Sequence, residues 1–236
     1  MDIFADIISE CENFVALKSI NSDLIVVNAV PGSGKSTLIK KLLHANSRFK
    51  AFTFSAYIET SITGRYIRPA SEFTESKEGD IIIVDEFTEG NFSDLKPRII
   101  FGDLNQTIKV QRNLEVNYYC KVTRRFGEAT CNLLRSLRFE IECTGREDKV
   151  EIERVFEGEP IGVVICFHER VKKLCESHGL EYKTVEEVRG ATFNTTTFIV
   201  EESVIKACER HLYYIGLTRH TDKLLILSPD ATLTAA

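Results

Sequence analysis

Ala29-Val30-Pro31-Gly32-Ser33-Gly34-Lys35-Ser36-Thr37 decides the fold of this chain. An apolar run, Leu24 to Val27, precedes it and reads as a buried strand. Leu38-Ile39-Lys40-Lys41-Leu42-Leu43 follows and reads as the start of a helix. A glycine-rich turn between strand and helix is a seat for a phosphate chain. Gly32 and Gly34 let backbone N–H groups turn inward with no Cβ in the way. The helix N-terminus adds orphan donors and the positive end of its dipole. In this pattern Lys35 reaches the β- and γ-phosphates of a nucleotide and the Ser36 hydroxyl ligates Mg²⁺. The pattern places Gly at position 29, where this chain has Ala, which disfavours positive φ. The bland alternative is an ordinary Gly/Ser loop with a chance lysine.

Ile81-Ile82-Ile83-Val84-Asp85-Glu86 supports the phosphate reading. Its β-branched residues predict a central parallel strand buried on both faces. The two acids at its carboxyl end fall where ligands bind in open α/β sheets. Asp85 is expected to hold Mg²⁺ through water, and Glu86 to orient and polarise the attacking water. Arg98 to Phe101 predicts another strand, ending in Gly102-Asp103 with Gln106 three residues on. Gln106 there is expected to sense the γ-phosphate through the attacking water; a plain turn after a strand is the alternative.

Composition bounds the rest. The chain has 236 residues, 43% hydrophobic, with a net charge of −5. That charge argues against a generally basic nucleic-acid coat but leaves room for a local basic groove. The 7 cysteines include no C-x-x-C pair, so neither a zinc ribbon nor a dithiol redox motif is expected. No apolar stretch approaches a bilayer span, and the acidic N-terminus is wrong for a signal peptide. The expectation is a soluble intracellular protein.

Ile3, Phe4, Ile7, Ile8, Cys11, Phe14 and Val15 recur at helical spacing, which predicts an amphipathic helix over 1–20. Lys50 to Ser55 reads as a second strand, residues 58–79 as a surface loop facing nucleic acid or solvent, and 110–115 as an extended or loop segment. Thr123-Arg124-Arg125 leads into a helix, Glu128 to Leu137; its arginines either reach phosphates or form a solvated basic turn. Residues 140–160, rich in Glu and Lys, mark a boundary. Beyond it come a strand (161–167), a helix (168–178) stopped by Gly179, a short edge strand (180–184), a strand (195–200), a helix near 203–210, a buried strand at 213–217 and a last strand (223–227). The βαβ alternation in both halves predicts an α/β fold with parallel sheets. The expected organisation is the helix at 1–20, a phosphate-loop domain at 21–140, a linker at 141–160 and a second domain at 161–236.

These motifs stand in the order found in superfamily 1 viral RNA helicases: the loop at 29–37, the strand at 81–86, Gly102-Asp103 with Gln106, Thr123-Arg124-Arg125, Val188 to Phe193, and Leu217-Thr218-Arg219. Nearly the whole chain resembles the family of first triple-gene-block movement proteins of plant potexviruses and carlaviruses. The resemblance implies two RecA-like P-loop NTPase halves with parallel sheets, the second reduced. It implies ATP and Mg²⁺ as cofactors, RNA helicase activity, and transport of single-stranded viral RNA through plasmodesmata from the host cytoplasm. It also implies suppression of host RNA silencing. As partners it implies other viral movement proteins, coat protein, host silencing factors and self-association. Carried over by motif, Ala29 to Thr37 bind phosphate, Ser36 and Asp85 serve the metal, and Lys35 and Glu86 act in hydrolysis. Gln106, Arg125 and Arg219 meet the γ-phosphate, and Gly190 and Thr192 couple RNA to nucleotide. Besides Ala29 the chain departs from that pattern at Gly127, where relatives often carry Pro, and at Arg189 and Ala191, where many helicases have Gln and Glu. A nucleotide-regulated RNA-binding and interaction protein with little unwinding is the alternative function. A small-molecule kinase explains the phosphate loop but neither Thr192 nor Arg219.

Overall fold

The computed structural model describes residues 2–18, 23–55, 65–107 and 114–236. The loops expected at 58–79 and 110–115 lie partly outside these residues. The chain divides into two compact units, Met1–Val122 and Thr123–Ala236.

In the first unit the β-branched runs become strands β2 (Ile25–Ala29), β5 (Ile81–Asp85) and β6 (Ile99–Gly102). They are joined by β1 (Val15–Ala16), β3 (Phe49–Thr53), β4 (Arg68–Pro69) and β7 (Tyr118–Cys120) in one seven-stranded sheet. Its order is β1-β7-β2-β6-β5-β3-β4, parallel throughout except for the β1–β7 pair. Helices α1 (Asp2–Ser9) and α2 (Lys35–Ala45) cover one face, where Phe4, Ile8, Leu38 and Leu42 pack on Ile25, Val27 and Ile83. On the other face Val26, Val84 and Ile100 pack against Phe87 and Leu95. Burial on both faces is what unbroken apolar strands demand. Register pairs Asn28 with Gly102 and Thr53 with Asp85, so the motif residues stand together at the carboxyl ends of the strands.

The helix expected over 1–20 is shorter. It ends at Ser9, and after turns closed by Cys11 and Phe14 the chain becomes edge strand β1, with Val15 opposite Tyr119. An extended edge suits β-branched Val15 better than a further helical turn.

After β8 (Val122–Thr123), the second unit holds α3 (Glu128–Ser136), β9 (Glu142–Cys143), β10 (Lys149–Arg154), β11 (Val163–Cys166), α4 (Glu169–Ser177) and β12 (Lys183–Thr184). It continues with β13 (Phe193–Ile199), β14 (Val204–Ile205), α5 (Arg210–Leu217), β15 (His220–Ser228) and β16 (Thr234–Ala235). Its sheet is parallel and five-stranded, β10-β15-β13-β11-β12, and so smaller than the first.

Three expectations change here. Residues 141–160 are not a linker, because they contain β10, which pairs with β15 along its full length. As an edge strand β10 leaves most of its side chains half-exposed, and Glu151 joins Lys149 and Lys223 in ion pairs. That gives an ordered strand the composition of a linker. The boundary therefore falls after Val122, and Arg125 and α3 belong to the second unit. Residues 213–217, expected as a strand, are the buried end of α5, and the helix expected near 203–210 is mostly strand and turn. A segment buried all round has no polar stripe to reveal a helical period. Gly216 lets α5 lie on β13, since a Cβ there would stand 2.4 Å from the Phe198 ring.

Candidate functional site

The glycine-rich loop grows out of β2. Gly32 and Gly34 take the left-handed conformation, with φ of 75° and 96°, and a side chain at either would be strained. Ala29 is the last residue of β2 and has no positive φ, so the missing first glycine leaves no strain. Gly34 precedes α2, whose N-terminus has no side-chain cap and no acid in its first turn. Its orphan N–H groups and dipole are thus not neutralised by the chain's own side chains. Val30, Pro31 and Ser33 are buried, whereas Ser36 and Thr37 are exposed. The Ser33 hydroxyl is buried without a hydrogen-bond partner among the described residues.

Lys35 is 7% exposed, and its ammonium donates to the carbonyls of Ala29 at 2.8 Å and Val30 at 3.3 Å. Two buried carboxylates share its field. Burial pushes Asp85 up to about 7; the neighbouring Glu86 charge adds to the rise and the Lys35 ammonium opposes it. Burial also raises Asp103, again against Lys35. Asp103 accepts the backbone N–H of Asn105 at 3.0 Å and the Gln106 side-chain amide at 3.3 Å. Asn28, on the adjacent strand, accepts the N–H of Leu104 and ties this turn to β2.

Glu86 sits just past β5 with φ of 50°, and its N–H donates to the Asp85 carboxylate at 3.1 Å. A glutamate in the left-handed region costs about 1 kcal/mol or more, and such strain gathers at functional sites. The structure therefore brings Lys35, Asp85, Glu86, Asp103 and Gln106 together at one end of one sheet.

The residues expected in the second unit form a separate group. Arg125 Nη1 donates to the Thr218 carbonyl at 3.0 Å. Arg219 is 1% exposed; its Nε donates to the Ile215 carbonyl at 3.1 Å and its Nη2 to the Thr218 hydroxyl at 2.9 Å. The Arg219 carbonyl accepts the N–H of Phe193, the first residue of β13, at 2.8 Å. Gly190, with φ of 76°, and exposed Thr192 lie in the turn leading into that strand.

Sequence reasoning missed Asp148, Thr130 and His220. Asp148 accepts the backbone N–H groups of Ala129 and Thr130 at the start of α3 and the Thr130 hydroxyl. The Thr130 hydroxyl also lies 2.8 Å from His220 Nε2. At Gly127, where relatives often carry Pro, the backbone packs so closely that a Cβ would stand 2.2 Å from the Arg146 carbonyl. The one local signal was an acid, Asp148, in a charged stretch.

Over residues 25–228 the sequence matches the viral superfamily 1 RNA helicase core domain. It is 38% identical over 232 residues to the movement and silencing protein TGBp1 of Poplar mosaic virus (isolate ATCC Pv275), covering 98% of each chain. It is 37% identical to the protein of the same name from Chrysanthemum virus B, over 100% of both. Among solved structures, Arterivirus nonstructural protein 10 (helicase) aligns with a TM-score of 0.55 at 20% identity. That alignment covers 96% of this chain and 57% of the arterivirus chain.

Proposed function

Because the chain belongs to the viral superfamily 1 RNA helicases, we propose that it hydrolyses ATP with Mg²⁺ while bound to single-stranded viral RNA. We assign this activity to movement of the viral genome and suppression of host silencing, the functions its relatives are named for. Plasmodesmata and the host cytoplasm are its proposed places of action, with viral movement proteins, coat protein, host silencing factors and further copies of the chain as partners. Among the described residues no helix is long and apolar enough to cross a membrane.

The observation that supports hydrolysis most directly is the gathering of Lys35, Asp85 and Asp103 beside an uncapped helix N-terminus. This donor set fits a nucleotide phosphate with a divalent cation: uncapped N–H groups and an ammonium for the phosphates, and buried carboxylates for the cation. The orphaned Ser33 hydroxyl fits as one more donor. ATP bound there supplies the phosphoanhydride bond, and Mg²⁺ offsets its charge.

The chain's own residues then divide the work. The N–H groups of Gly32 to Ser36 and the Lys35 ammonium bind the β- and γ-phosphates. The Ser36 hydroxyl and Asp85 hold the cation. Glu86 orients a water and accepts its proton at the carboxylate, and Gln106, fixed by Asp103, holds that water in line. Arg125 and Arg219 stabilise charge on the transferring phosphoryl group. Gly190 and Thr192 report RNA contact to Arg219 through the Phe193–Arg219 backbone bond.

Lys35→Ala tests this assignment. It should keep the circular-dichroism spectrum of the parent and release phosphate about a hundredfold more slowly. A folded variant with parental turnover would refute the site.

A further inference from the structure

At the edge of the first sheet, β4 pairs only with Phe52 and Thr53, and among the described residues no strand pairs with the first half of β3 on that side. A cavity of about 100 Å³ opens there. Leu43, Phe52 and Tyr66 give it apolar and aromatic walls, and Lys50, Arg65 and Arg68 give it cations. The phosphate loop is at the other end of α2. From Lys35 to Leu43 the helix rises about 12 Å, so the cavity is no part of that site.

The cations are exposed and form no ion pair among the described residues. Lys50 Nζ donates to the Ser47 carbonyl at 2.8 Å and Arg65 Nη1 to the His44 carbonyl at 3.2 Å. These contacts place both charges near the negative end of α2 and use one donor of three on Lys50 and one of five on Arg65. The Arg68 side chain makes no hydrogen bond among the described residues, and its guanidinium lies 5.7 Å from the centre of the Tyr66 ring. In a chain of net charge −5, three cations with no ion pair among the described residues, set around an aromatic hollow, are a site for an anion with a flat ring attached. The volume decides what form that ligand takes. Small-molecule pockets run from roughly 300 Å³ upward, so this hollow suits a single base, with its phosphates outside on the cations, rather than a whole cofactor.

We propose that this edge cavity docks one nucleotide of single-stranded RNA, with the base on Tyr66 and the flanking phosphates on Lys50, Arg65 and Arg68. It is a second grip on the strand, remote from the nucleotide site, and it rests on the RNA-binding reading above. Base stacking with a cationic groove tolerates any sequence, as a strand carrier requires.

Fluorescent oligo(U) binding to the full chain, titrated with salt, tests the proposal. Arg65→Ala/Arg68→Ala should weaken binding about tenfold at moderate salt and lower the slope of log affinity against log salt by about 1.4. Tyr66→Ala should weaken binding about tenfold with no change in slope, and Tyr66→Phe should restore it. ATP affinity should stay at the parental value in all of these variants. Photo-crosslinking of 4-thiouridine RNA should label the peptide bearing Tyr66. If the parent binds oligo(U) and the double variant matches it in affinity and slope, the cavity is not an RNA site and the general reading survives. If the parent binds no RNA even at low salt, both fail.

Discussion

Asp148 and His220 meet in the interior of the second unit, with Oδ2 3.4 Å from Nε2 and both side chains 0% exposed. Thr130 stands between them, its hydroxyl donating to Asp148 and lying 2.8 Å from His220 Nε2. His220 Nδ1 has no partner among the described residues, and the ring stacks on Phe126. The arrangement fits a neutral imidazole protonated at Nε2, which donates to Thr130, which donates to Asp148. This chain of bonds ties the start of α3 to the residue after Arg219.

The network makes stability depend on acid. Burial alone would raise Asp148, but hydrogen bonds from His220, Thr130 and backbone N–H groups outweigh it and hold the carboxyl at about 2. A depressed folded pKa gives stability that is full above the unfolded value, about 3.9, and lost as pH falls through 2. Burial lowers His220, so protonation favours the unfolded chain once pH drops below about 6.5. These two groups should therefore withdraw stability in urea in two stages, first below pH 6.5 and then between about 4 and 2, whereas the raised Asp85 and Asp103 favour the folded chain as pH falls from 7. Asp148→Asn should cost about 2 kcal/mol at pH 7 and abolish the second stage. Parallel pH curves for parent and variant would count against this network.

Glu86 offers a trade of stability for function. Glu86→Gly removes the left-handed strain and should raise stability by about 1 kcal/mol while hydrolysis is lost. Glu86→Gln keeps the strain and should still bind ATP with Mg²⁺ yet turn it over poorly. Asp85→Asn should instead weaken Mg²⁺-dependent binding. A Glu86→Gly variant less stable than the parent would show that the backbone there is not strained. One shared defect in Glu86→Gln and Asp85→Asn would show that their roles are not separate.

Arg219 is assigned by motif and found bonded to the end of its own helix. Arg219→Ala should keep ATP affinity and lose about a thousandfold in turnover. Arg219→Lys should be nearly as slow, because a lysine cannot reproduce the fork that holds two acceptors. Should Arg219→Ala lose stability in urea and keep its turnover once folded, the arginine serves the helix end and not the chemistry.

The legible parts of this molecule were local ones. The turn at 30–34 could be read because strand, glycine turn and helix are contiguous in sequence, and the strand ending in Asp85 because a buried strand announces itself by its β-branched run. Ala29 looked like a defect only because strand β2 was expected to end before it. Edge strand β10 was hidden by its charged side chains, and the buried end of α5 by having no polar face. Asp148 and His220 were illegible for another reason: they are 72 residues apart, and only the folded second unit makes them neighbours. Likewise the positive φ of Glu86 belongs to the turn after β5 and leaves no mark on residue type.

The proposed function couples RNA binding to ATP hydrolysis in this chain. Phosphate release measured at saturating ATP and Mg²⁺, with single-stranded RNA titrated from none to excess, tests it most directly. Coupling predicts a rate that rises severalfold and saturates with RNA, and no such rise in Arg219→Ala. A parent that hydrolyses ATP at one rate with and without RNA it demonstrably binds would contradict it.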